Sequence, residues 1–222
     1  MPAFTLHGTP GSTNTERVLL TLHEGSFTDY EFAPVDLRTG AQKSPSHLAL
    51  HPLGKVPAIT FPDGFTLAES RAISKYLARK YSFPLLPPAT NLEATALFEQ
   101  AESLETLYFG EPAGKIGFEK FAKKLFGAPT DEKVVKQAEK ELGVFLDVAG
   151  SVLLKGGYFG GKEFSLIDIY YIPLVQRLYV VGHGHLIESR PVVKAWWEWC
   201  TARPAVKTFL EEAKKMGPQL PA

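Results

Sequence analysis

The sequence predicts a chain of two parts: an α/β (α+β) domain over residues 1–82, followed by an all-α domain over 92–222, with a proline-rich linker at 83–91 between them. Three observations predict it. Strand and helix signals alternate through the first eighty residues, prolines then interrupt both, and every later segment repeats its apolar residues at helical spacing. A chain of 222 residues is long enough to bury two modest cores.

Residues 3–7 read as a strand, 8–13 as a Gly/Pro/Ser/Thr loop, and Val18, Leu19 and Leu22 as the stripe of a first helix. A second strand over 30–36 makes a strand-helix-strand opening, which implies a parallel pair joined by a right-handed crossover. Residues 58–61 and 65–67 then flank the turn Pro62-Asp63-Gly64, a hairpin signal, and 69–81 form a helix with Ile73, Tyr76 and Leu77 on one side. The order β-α-β, then β-β-α, is the thioredoxin-like arrangement. The prolines of Phe83-Pro84-Leu85-Leu86-Pro87-Pro88 lack N–H donors and suit neither a helix nor a central strand. Beyond them, 92–109, 115–126, 132–154, 166–181, 192–201 and 205–216 read as helices separated by Gly, Pro or cap residues.

Lys plus Arg and Asp plus Glu number 24 each, so no net field draws the chain to nucleic acid or anionic lipid. Residues 1–6 show no basic segment leading into an apolar run, and no apolar stretch reaches membrane-spanning length. The expected setting is the cytoplasm, without membrane or nucleic-acid partners. Cys200 is the single cysteine, which excludes an internal disulfide, a CxxC pair and a thiolate zinc cluster. Its place in a helical pattern with Trp196, Trp197 and Trp199 reads as a packed thiol. His183 and His185 lack further ligands in view and read as loop residues, so no metal is expected.

Three segments carry chemistry. Gly8-Thr9-Pro10-Gly11-Ser12-Thr13-Asn14 leads into the first helix, whose free N–H groups favour an anion; Ser12, Thr13 or Asn14 can equally serve as an ordinary cap. In Leu53-Gly54-Lys55-Val56-Pro57-Ala58, a cis bond before Pro57 would turn the backbone of Val56 outwards to pair with an extended peptide, whereas a trans proline would simply start a strand. Glu69-Ser70-Arg71 opens a helix, where hydroxyl and N–H groups can hold a carboxylate or merely cap.

Taken jointly, these segments resemble the glutathione transferases, most closely the phi-like class, and the resemblance runs over residues 4–213. It rests on Gly8-x-Pro10-x-Ser12, Val35-Asp36-Leu37 with Gly40-x-x-Lys43, His51-Pro52-Leu53-Gly54-Lys55-Val56-Pro57-Ala58 and Glu69-Ser70-Arg71-Ala72-Ile73. In the second domain, Phe164-Ser165-Leu166-Ile167-Asp168 looks like the family's capping box and Arg203-Pro204-Ala205 like its closing helix start. The resemblance implies that the Ser12 hydroxyl bonds to the glutathione sulfur. Val56, ahead of Pro57, would pair with the cysteinyl unit, Glu69 and Ser70 would hold the γ-glutamyl end, and Gln42, Lys43 and Lys55 would lie at the glycyl carboxylate. Members commonly have His where Gln42 stands and Gln where Lys55 stands, so the glycyl contact is altered here.

The implied activity is that of a detoxifying alkyl or aryl transferase acting as a homodimer, with glutathione as co-substrate and no tightly bound cofactor. A free thiol has a pKa of about 8.5, and the thiolate is the nucleophile, so a hydroxyl donor beside a helix N-terminus activates it by favouring the charged form. Conjugation to a small hydrophobic electrophile follows, with peroxide reduction open to the same thiolate. Pro10, Tyr108, Phe109, Phe118 and Phe121 are the candidate electrophile wall, although the four aromatic residues also suit a helical core. A different class of function, a ligandin-like binder of apolar molecules or of a regulatory partner, uses the same fold without turnover. A thiol-disulfide oxidoreductase is disfavoured, since no cysteine lies near the first helix.

Overall fold

Alternation sets the first strand: in β1 (Thr5–Gly8), Leu6 and Gly8 are buried while Thr5 and His7 are half-buried. The computed structural model describes residues 1–216 and divides them into two units, Met1–Pro84 with the last helix and the segment Leu85–Arg203. In the first unit, α1 (Thr13–Glu24) buries Val18, Leu20 and Leu22, and the chain returns as β2 (Glu31–Pro34) parallel to β1. A 3-10 turn at Ala41–Lys43 precedes α2 (Pro45–Leu50). Next come β3 (Ala58–Thr60) and β4 (Thr66–Ala68), each antiparallel to its neighbour, and α3 (Ser70–Lys80). The sheet order β2-β1-β3-β4 is the thioredoxin-like one. Thr21 Oγ1 lies 3.0 Å from Ser74 Oγ, so two small hydroxyl side chains join α1 to α3.

Helix α2 was not expected. Its signal is Ser44-Pro45: Ser44 Oγ accepts from the N–H of His47 at 3.3 Å, and Pro45 stands where its missing donor costs nothing.

The second unit is helical from 92 to 125 without a break: α4 (Leu92–Leu104), a π-helical turn at Glu105–Gly110, α5 (Glu111–Gly117), a second π-helical turn at Phe118–Ala122 and α6 (Lys123–Leu125). The gap expected between 109 and 115 is absent: Pro112 stands inside the unbroken helix, just after the π-helical turn at Glu105–Gly110. There follow α7 (Glu132–Gly156), α8 (Leu166–Val180), α9 (His185–Glu188) and α10 (Pro191–Ala202). Helix α8 is the centre of this unit, buried from Leu166 to Val175. Its Tyr171 ring stacks 4.1 Å from Phe159 and lies 4.6 Å from Phe109. The Ser165 and Asp168 side chains close a capping box at its start, as the motif implied. Cys200 is fully buried.

The last helix, α11 (Pro204–Met216), belongs to the first unit, whereas the sequence expectation placed it in the helical domain. Val206 and Phe209 are buried, the His23 ring meets Phe209 edge-on at 5.8 Å, and His23 Nε2 lies 3.4 Å from Glu212. An apolar stripe announces a buried helix face but does not name its partner. Residues 217–222, assigned by the same expectation to the helical domain, lie outside the described residues. The expected linker is pinned at its start. Phe83 is buried beside Phe27 and Tyr81, and the Leu85 carbonyl accepts from the N–H of Leu166 at 3.0 Å.

Candidate active site

Strand register decides which loops meet. His7 on β1 lies opposite Ala58 on β3, and Ala58 lies opposite Ala68 on β4. The segment leaving β1, the one entering β3 and the one leaving β4 therefore emerge at the same end of the sheet. Those segments carry Ser12, Val56 with Pro57, and Glu69 with Ser70.

Ser12 is the half-buried N-cap of α1, with extended backbone (φ −79°, ψ 118°) that follows Gly11 at φ +80°. Its Oγ accepts from the N–H of Thr15 at 3.5 Å, the long limit of a hydrogen bond. A hydroxyl that accepts keeps its own proton to donate, so capping and donation to a ligand are compatible. Asn14 is committed elsewhere: its Oδ1 accepts from the Arg17 guanidinium at 2.6 Å, which also donates to Ser70 Oγ at 2.7 Å. Arg17 and Ser70 are buried, and the pair joins the starts of α1 and α3.

The peptide bond before Pro57 is cis. Val56 and Pro57 are buried. Among the described residues, neither the N–H nor the C=O of Val56 takes part in a backbone or side-chain hydrogen bond. Backbone groups in folded proteins are nearly always paired, so this residue offers a donor and an acceptor to an extended partner. The turn ahead of it is tightly held. Gly54 N–H donates to the His51 carbonyl at 2.7 Å, Lys43 Nζ to the Leu53 carbonyl at 2.8 Å, and His47 Nε2 lies 2.7 Å from the Lys55 carbonyl. Gly54 sits at φ +58°, where an added Cβ would come within 2.7 Å of the Gln42 carbonyl oxygen.

Glu69 is the N-cap of α3 at φ +69° and ψ 110°, and its side chain makes no capping bond. A non-glycine residue in that region stores roughly 1–3 kcal/mol of strain, a feature that clusters at functional sites. The carboxylate is 71% exposed, with Oε1 3.7 Å from Nε2 of the buried His51. Ser70 does not cap either, since its hydroxyl faces Arg17. At the other end, Lys55 and Lys43 are exposed, and Lys43 spends one of its three donors on Leu53. Gln42 Oε1 and His51 Nδ1 are buried without a hydrogen-bond partner among the described residues. Burial, followed by the neighbouring His47, holds the imidazole of His7 below its ordinary pKa.

The aromatic group expected as an electrophile wall does not form one surface. Phe109 and Phe121 are core residues of the second unit, 1% and 7% exposed; Phe109 packs on Tyr171, and the Arg177 guanidinium lies 3.3 Å over the Phe121 ring. Tyr108 and Phe118 are exposed. Two π-helical turns in this stretch rotate successive side chains off the 3.6-residue period, so regular spacing assigns the faces wrongly. Pro10 is half-buried in the loop after β1. His183 bonds to the Val181 carbonyl through Nδ1 and lies 3.0 Å from Glu139 through Nε2. Among the described residues no three His, Cys, Asp or Glu side chains are grouped to hold a metal, and no helix is long and apolar enough to cross a membrane. Sequence reasoning missed Arg17, His47 and His51. Arg17 reaches Ser70 across 53 positions, and His47 meets the Lys55 carbonyl only once α2 is packed, so neither pairing leaves a local signal.

The glutathione S-transferase N-terminal domain family matches residues 2–79 and the corresponding C-terminal domain family residues 82–204. The chain belongs to the glutathione S-transferase family. It is 39% identical over 217 residues to a glutathione S-transferase of Silene vulgaris, covering 95% of this chain and 98% of that protein. Among solved structures, glutathione transferase F7 of Populus trichocarpa is similar at a TM-score of 0.88, with 34% identity, 95% of this chain and 99% of that chain covered. Maize glutathione S-transferase I, solved with an atrazine glutathione conjugate, is similar at 0.86 with 33% identity, covering 96% of this chain and 98% of that one. The phi-like character read from the motifs agrees with these plant relatives. As a member of the family the chain is a glutathione transferase, and the family's co-substrate is glutathione.

Proposed function

We propose that this transferase binds glutathione along Val56, activates its thiol with the Ser12 hydroxyl and conjugates the sulfur to small hydrophobic electrophiles. The observation that carries the reading is the unpaired Val56, both of whose backbone groups stand at the same end of the sheet as the Ser12 loop and the strained Glu69. The cysteinyl unit pairs with Val56 ahead of Pro57, and the exposed Glu69 carboxylate takes the γ-glutamyl amino group, with Ser70 behind it. Lys43 and Lys55, beside Gln42, take the glycyl carboxylate.

Ser12 donates its free proton to the sulfur, and the start of α1 adds its positive end; both favour thiolate over thiol. The maize relative, solved with an atrazine conjugate, supports an apolar aromatic electrophile. The same thiolate can reduce hydroperoxides. We place the reaction in the cytoplasm, where the thiol pool is kept reduced. A homodimer fits the large apolar side chains left exposed, Leu53 and Phe65 in the first unit and Leu92 and Leu97 in the second, and sedimentation at micromolar concentration reads that state directly.

The test of function is calorimetry with glutathione, ultraviolet detection of the bound thiolate, and turnover on a panel of aryl halides, enals and hydroperoxides. Saturable binding with a thiol pKa below about 8.5 and turnover of at least one class is the expected result. Binding without turnover on any member would instead support a non-catalytic binder.

A further inference from the structure

His47 stands in α2 with 5% of its surface exposed, and its Nε2 lies 2.7 Å from the carbonyl oxygen of Lys55. A carbonyl can only accept, so Nε2 carries the proton and donates. That carbonyl shares one planar peptide unit with the N–H of Val56. The unit is trans, since Val56-Pro57 is the one cis bond among the described residues. In a trans unit the C=O and N–H point in opposite directions. Fixing the carbonyl against His47 therefore fixes the direction of the Val56 N–H, the donor that has no acceptor among the described residues.

We propose that His47 is a positioning residue of the glutathione site: by donating to the Lys55 carbonyl it aims and polarises the Val56 N–H towards the cysteinyl carbonyl of glutathione. The inference rests on the reading that Val56 pairs with the tripeptide. The turn leading to this peptide unit is already immobilised, since the His51 and Leu53 carbonyls are held by Gly54 N–H and Lys43 Nζ. The Lys55 carbonyl is the last group that needs a tether before Val56, and His47 supplies it. Two hydrogen bonds in line through one amide also strengthen each other, because polarising the C=O makes the attached N–H a better donor.

The test compares wild type, His47→Ala, His47→Gln and His47→Asn. The Gln amide nitrogen reaches about as far as Nε2, and that of Asn does not. Each protein is titrated with glutathione and with a reduced isostere in which a methylene replaces the cysteinyl carbonyl. His47→Ala and His47→Asn should weaken glutathione binding about tenfold. His47→Gln should recover most of it, and the KM for the electrophile and the pKa of the bound thiol should not move. The isostere, lacking the carbonyl that Val56 would meet, should bind all four proteins alike. An unchanged glutathione affinity in His47→Ala, or an equal loss towards glutathione and the isostere, overturns the assignment while leaving the site intact. Failure of the wild type to bind glutathione overturns the site itself. If His47→Ala does not fold, His47→Asn and His47→Gln decide the question between them.

Discussion

Ser12 before α1 and Ser165 before α8 are both serine N-caps, and the two hydroxyls have opposite fates. Ser165 accepts from the N–H of Ile167 at 3.2 Å and donates to Asp168 at 3.2 Å. Asp168 in turn accepts from the N–H groups of Ser165 and Phe159, both at 3.0 Å, and from Trp196 Nε1 at 2.9 Å. Every polar group there is consumed inside the fold. Ser12 accepts a single bond of 3.5 Å and keeps its proton. The same residue at the same helical position spends its proton or keeps it according to what the protein sets beside it.

The largest effect should come from the saturated cap. Asp168→Ala strips the acceptor from four donors at once and should cost about 3–5 kcal/mol of stability, read as a lower denaturation midpoint, with the folded fraction keeping its affinity for glutathione. Burial pushes the Asp168 carboxyl up to about 6, against the pull of its hydrogen bonds from Trp196, Phe159 and Ser165. A carboxyl whose pKa is higher in the folded than in the unfolded state binds its proton more tightly when folded. Stability should therefore rise as pH falls from above 6 towards 4, and Asp168→Asn should lack that rise in denaturation curves taken across this range.

The second effect is catalytic. Ser12→Ala should lower turnover at neutral pH about a hundredfold and raise the bound thiol towards a pKa of about 8.5, while costing at most about 1 kcal/mol of stability. A stability loss of that size with an unmoved thiol pKa would make the two serines alike and break the comparison. A shift in Thr13→Ala instead would move the donor one residue along.

The smallest effect separates strain from structure. Glu69→Gly relieves the positive φ and should raise stability by about 1 kcal/mol while weakening glutathione binding, as calorimetry and thermal unfolding would show together. Loss of both would mean that Glu69 serves the fold.

The β-α-β, β-β-α order was legible because each element announces itself within a few residues: Val18, Leu19 and Leu22 for α1, or Pro62-Asp63-Gly64 for the hairpin. The cap at Ser12 was legible for the same reason, but its uncommitted proton was not. Arg17 bonds to Ser70 across 53 positions and His47 to Lys55 only through the packing of α2, so the partners exist once the sheet has set its register. Of the four aromatic residues left open between wall and core, Phe109 and Phe121 fall to the core and Tyr108 and Phe118 to the surface; two π-helical turns shift the helical phase there, a backbone event with no sequence mark here.

Helix α11 completes the first unit, yet all of Leu85–Arg203 is made between the two pieces. At about 5–20 residues per second, a ribosome needs on the order of ten seconds to cross that interval. Throughout it, the side of α1 that carries His23 lacks Phe209 and Glu212. The newborn N-terminal unit thus waits with an open flank until α11 has followed the whole of the other unit.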